Sequence, residues 1–147
     1  MTLPESLLDP QRRPDVVRDC VALVDSEVER KSGISGFAIK QGYKVVKKLD
    51  HGHMVPKAVN DLLPDFAAAL EPMHARFRAD GRGTFASFML GKEPEAADSL
   101  LAVTDGKAQH AKNAVLKGIY NQLRPTAKRN LEASVGALAG VIDRYAK

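Results

Sequence analysis

The sequence predicts an all-α protein, a compact bundle of six to seven helices, several starting at or kinked by proline. Three observations carry this. Apolar residues recur at i, i+3 and i+4 along most of the 147 residues, and no segment sustains a two-residue alternation. Proline and glycine fall at helix-length intervals, as starts and stops do. Aromatics make up 5% and Trp is absent, a composition suited to closely packed helices rather than a sheet.

Residues 1–13, punctuated by Pro4 and Pro10, read as an extended N-terminal arm, and 14–147 as a single helical domain. Pro14 fits a first helical turn, and Val16, Val17, Cys20, Leu23, Val24 and Val28 fall at helical spacing up to Ser32-Gly33. A second helix spans 34–49, with one apolar face in Ile34, Phe37, Ala38, Val45 and Leu49. It is expected to be a core element, as is 125–146. The third stripe is Val59, Leu62, Leu63, Phe66, Leu70, Met73 and Phe77, interrupted by Pro64 and Pro72, where a kink or two abutting helices are expected. Asp80-Gly81-Arg82-Gly83 is a loop. Thr84–Leu90 is a short helix apolar on all sides, which demands burial. Pro94 opens a fifth helix closed by Gly106. Ala111, Ala114, Val115, Gly118, Ile119 and Leu123 line a sixth, and Pro125 starts the last, with Leu131, Val135, Leu138, Ile142 and Tyr145 on one stripe.

A net charge of +4 hides two basic blocks. Residues 30–57 hold seven Lys/Arg and one acid, and 107–129 hold six and none. Clustered charge sets the local field a partner meets. In the first block Lys40, Lys44, Lys47 and Lys48 share one side of a helix, with Lys57 close by. The leading expectation is a non-enzymatic, cytoplasmic interaction protein turning this lysine face toward an acidic protein or a nucleic acid. No helix-turn-helix, RNP-type aromatic pair or zinc finger is present to read bases. A membrane surface is disfavoured, because this reading leaves no bulky apolar face free for lipid.

Two alternatives belong to other classes. Phe37, Met54, Met73, Phe77, Phe85, Phe88 and Met89 are candidates for lining a cavity that carries a small apolar ligand. His51 and His53 are candidate metal ligands, though the pair needs further ligands from elsewhere. His74 reads as a core-edge histidine, Cys20 as a small hydrophobe and Ser87 as a packed hydroxyl. Gly81-Arg82-Gly83-Thr84 is a helix start with an N-cap Thr rather than a phosphate loop. No catalytic constellation or cofactor is implied. The single cysteine fits a reducing compartment. The apolar run Ala133–Ile142 is too short for a transmembrane segment. Ala133, Gly136, Ala137 and Gly140 form a smooth face for close helix packing, or for a homo-oligomer.

A faint internal echo runs through the chain. Pro14, Pro56, Pro94 and Pro125 each open a helix and are followed at the fifth place by a polar residue. Ile39-Lys40-Gln41-Gly42-Tyr43 is loosely matched by Leu116-Lys117-Gly118-Ile119-Tyr120, as in a duplicated helix pair. Finally, Val103-Thr104-Asp105-Gly106, Tyr120-Asn121-Gln122-Leu123-Arg124-Pro125 and the stretch from Gly36-Phe37 to Lys48 resemble a family of small all-helical bacterial proteins of unassigned function. The resemblance implies a compact helical domain over most of 14–147 and transfers no site residue.

Overall fold

In the computed structural model, which describes residues 1–146 (the side chain of Ser35 excepted), helices fill the chain and no strand occurs among the described residues. The helices are α1 (Leu3–Leu7), α2 (Arg13–Arg30), α3 (Gly33–Lys48), α4 (Met54–Asp80), α5 (Phe85–Phe88), α6 (Glu93–Gln109) and α7 (Ala114–Tyr145). A 3-10 turn, Leu49–Gly52, joins α3 to α4.

The expected N-terminal arm is instead a helical anchor. Thr2 caps α1, with Thr2 and Glu5 forming a reciprocal capping box and Pro4 in the first turn. Leu3 and Leu7, one turn apart, are buried in the core, and the Leu3 N–H donates to Glu71 Oε1 at 3.0 Å. Arg78 grips the same carboxylate through Nη1 at 2.9 Å and Nη2 at 2.8 Å. This pairing holds Glu71 below the usual carboxylate range.

Proline breaks the long helices less than the sequence suggests. The helix α4 runs through Pro64 and Pro72, and α7 runs through Pro125, so the expected sixth and seventh helices are one. Gly106 lies inside α6 rather than at its end. Tertiary packing on both sides of these residues outweighs their local propensity. The count of seven α-helices agrees with the expected six to seven, with α1 added and two expected helices fused.

The core gathers Leu3, Leu7 and Val16 with Leu63, Leu70 and Met73 of α4, Leu100 of α6, and Val135 and Ile142 of α7. The short α5 sits in it, burying Phe85, and Met89 just beyond it is buried as well; Leu90 is exposed. Asp143 of α7 accepts from the Phe85 and Ala86 N–H groups at 2.9 and 3.1 Å, satisfying donors that α5 cannot pair itself. His74 lies beneath, its ring 4.8 Å edge-on from Phe85, with Nδ1 accepting from Arg78 at 2.6 Å.

The expected core role of 34–49 fails. Ile34 is 92% exposed, Phe37 65% and Val45 44%. The inward side of α3 carries Gly36, Ile39, Gly42 and Tyr43 instead. A Cβ at Gly42 would stand 3.0 Å from Ile119 Cγ2, tighter than ordinary packing, so the absent side chain eases the close approach of α3 to α7. The expected close packing at Gly136 and Gly140 is not used within the chain, since a Cβ at either would meet nothing within 4 Å.

Candidate functional site

The apolar stripes of α2, α4 and α7 do not interlock along their whole length. Where α2, α4, α6 and α7 face one another they stand around a half-open cavity of about 400 Å³. Its walls are apolar and mostly aliphatic: Leu23, Val24 and Val28 from α2, Val59, Leu62 and Phe66 from α4, Leu123, Leu131 and Leu138 from α7. Leu100 of α6 and Ile39 of α3 complete the lining. With Cys20 and Glu27 on α2 and Lys31 at its end, Leu63 on α4, and Ala127, Asn130, Ser134 and Val135 on α7, the lining of each of these three helices recurs at steps of three and four residues, so one face of each is committed to the space.

Polar groups enter mainly where α2 ends against α7. Glu27, Lys31, Asn130 and Ser134 line that part of the cavity. Glu27 is buried, 8% exposed, and accepts from Arg30 at 2.7 Å. The Lys31 ammonium donates to the Asn130 carbonyl at 3.2 Å, as does the Ser134 hydroxyl at 3.2 Å. A buried carboxylate, an ammonium group and a hydroxyl at one end of an apolar space give it the character of an amphiphile site. Cys20 also lines it; burial, with Asp19 adding, pushes its thiol up to about 11, so it contributes as a neutral apolar group.

Three clasps hold these helices in place, and they use all three tyrosines of the chain. Tyr43 of α3 donates to Asp25 of α2, and Lys47 sits 3.5 Å from the same carboxylate. Tyr120 of α7 donates to Asp105 of α6, which Arg124 also grips through Nε at 2.8 Å and Nη2 at 3.0 Å. Tyr145 of α7 donates to Asp19 of α2, with Arg144 at 3.4 Å. The first two are built alike. Asp25 lies eleven residues after Pro14, and Asp105 eleven after Pro94; Lys47 and Arg124 each lie four after their tyrosine. The echo noted in the sequence thus corresponds to two helical hairpins, α2–α3 and α6–α7, that carry the same kind of clasp. The arginine beside Asp105 holds that carboxyl low, while burial first and Asp105 second push the Tyr120 phenol up. Both groups are therefore held in their ordinary forms, as a structural staple needs.

The residues proposed from the sequence are distributed differently. None of Phe37, Met54, Met73, Phe77, Phe85, Phe88 and Met89 lines this cavity. Met73, Phe85 and Met89 are core, Phe77 and Phe88 pack against it, Met54 is half-buried at the start of α4, and Phe37 faces solvent. The site instead uses aliphatic seams that read as ordinary core. Polar residues at seam positions, Glu27, Asn130 and Ser134, are the signal that distinguishes them.

His51 and His53 lie in the exposed 3-10 turn and at its end, where Asp50 and His51 both take left-handed backbone. Among the described residues, no group of three His, Cys, Asp or Glu side chains is placed to hold a metal ion. Lys44, Lys47, Lys48 and Lys57 are exposed and Lys40 is partly so. Of these, Lys47 is engaged by Asp25; among the described residues no ion pair engages the other four. No helix of the described residues is long and apolar enough to cross a membrane.

No curated protein and no solved structure matches the chain. A family model does match, over residues 3–146, from the buried Leu3 of α1 to the last turn of α7. The chain belongs to DUF6918, a family of unknown function.

Proposed function

We propose that the protein is a carrier of a single-chain amphiphile, held with its apolar part in the cavity between α2, α4, α6 and α7. The observation that carries this reading is the 400 Å³ space lined by one committed face from each of those helices. Because the space is half-open, water meets its apolar walls, and an apolar chain that displaces this water gains about 0.8 kcal/mol per buried methylene. A site of that size takes about 13 non-hydrogen atoms at ~30 Å³ each, which suits a chain of about a dozen carbons. Lys31, Glu27 and Ser134 offer donors and an acceptor for a small polar head. Glu27 is already engaged by Arg30, which leaves the Lys31 ammonium as the charge that favours a carboxylate or a similar anion over an amine.

Native mass spectrometry of protein purified without detergent is expected to show a discrete lipid-like adduct. Added dodecanoate is expected to bind to one equivalent. A clean apo mass together with no uptake of dodecanoate rejects the reading. Lys40, Lys44 and Lys48 of α3 and Lys57 of α4 support a second role toward an anionic partner, since among the described residues no ion pair engages them.

A further inference from the structure

Wound at about 100° per residue, α3 places Ile34, Phe37, Gln41, Lys44, Val45 and Lys48 within one arc of about 100°. All six are exposed. Lys40 and Lys47 flank this arc, and α3 contains no acidic residue. Among the described residues, half of the exposed large hydrophobics, Ile34, Phe37 and Val45, lie here, and Val115 is exposed at the start of α7, the helix on which α3 packs. Ile39, the residue of α3 that lines the cavity, points about 180° away from the centre of the arc. The helix is therefore a single-layer wall. One side meets the ligand space, and the other presents bulky apolar groups among unpaired ammonium groups.

We infer that the outward face of α3 docks on an anionic lipid bilayer, so that the cavity behind it exchanges its ligand with that surface; the exchange, though not the docking, rests on the carrier reading. The combination of side chains selects lipid over nucleic acid. Phosphates of a nucleic acid satisfy lysines but leave Ile34 and Phe37 in water, whereas the headgroup region accepts both classes at once. The sequence alone argues against a membrane because it assigns Ile34, Phe37 and Val45 to the core; the fold leaves them free.

The test is co-sedimentation of the full chain with vesicles of phosphatidylcholine alone and of phosphatidylcholine with 30% phosphatidylserine. Binding is expected to the anionic vesicles, and to weaken with salt. Each lysine near such a surface contributes about fivefold, so Lys44→Gln with Lys48→Gln is expected to weaken binding about 25-fold. Ile34→Ser with Phe37→Ser is expected to weaken it at least tenfold. These side chains face solvent, so circular dichroism and dodecanoate uptake should not change.

Equal or absent binding to both vesicle types overturns the proposal. Unchanged binding by the Ile34→Ser, Phe37→Ser variant overturns it too. Retention of duplex DNA or RNA that depends on the lysines but ignores Phe37 assigns the face to nucleic acid and overturns it as well. Dodecanoate uptake by the wild-type protein, measured in parallel, separates the two claims. Uptake without vesicle binding removes the docking and leaves the carrier. Vesicle binding without uptake supports the docking and removes the carrier and the exchange.

Discussion

Carboxylates of increasing chain length give the carrier reading a quantitative signature. Each buried methylene is worth about 0.8 kcal/mol, or roughly a fourfold change in Kd. From octanoate to dodecanoate this amounts to about 3 kcal/mol and a roughly 200-fold gain. The gain should stop near a dozen carbons, where the 400 Å³ cavity is full. Ala127 lines the cavity on α7, and Ala127→Leu adds three carbons to its wall. At ~30 Å³ per group this removes about 90 Å³, so the break should move to chains about three methylenes shorter. The same substitution fills void, which is worth up to about 2 kcal/mol of stability in the ligand-free protein at ~24 cal/mol per Å³. Isothermal titration calorimetry across the series, on both proteins, reads the slope and the break. A flat series refutes the reasoning, as does a break that stays in place in Ala127→Leu.

Three further outcomes follow from the fold. Leu3→Ala should cost about 2–5 kcal/mol, read as a shift of the urea midpoint at constant m, because Leu3 is fully buried; a loss under 0.5 kcal/mol shows that α1 is not docked. Asp143→Ala strands two N–H groups of α5 and should cost about 2–3 kcal/mol, with Asp143→Asn costing less; equal stability of the alanine variant and wild type refutes the cap. Burial first, then Arg78, lowers the His74 pKa from 6.5, so the folded protein resists protonation there while the unfolded chain accepts it. Stability should be full above pH 6.5 and fall as pH drops from 6.5 toward the lowered native value. His74→Leu should flatten thermal-melt midpoints across that window, and identical slopes in the two proteins reject this account.

Much of the architecture was legible because seam residues repeat at helical spacing in α2, α4 and α7. The errors have physical causes. Pro125 was read as a start because its ring favours a first turn, yet α7 continues through it. The N-terminal arm was read from its prolines, although Thr2, Pro4 and Glu5 together spell a capped helix. In α3 the bulkier row, Ile34, Phe37 and Val45, was assigned inward on hydrophobicity. Closeness to α7 favours the other side, where Gly42 leaves room for Ile119. The candidate site was hidden for a related reason. An apolar stripe looks the same in sequence whether it meets another side chain or an empty space. Only the polar intrusions at Glu27, Asn130 and Ser134 mark the difference.

The three tyrosine clasps also make the molecule its own spectroscopic gauge. With no tryptophan in the chain, near-ultraviolet absorbance and emission come chiefly from three phenols, each bonded to a carboxylate between two helices. Any rearrangement that parts α2 from α3, α6 from α7 or α2 from α7 alters one of these chromophores directly, with no added dye or label.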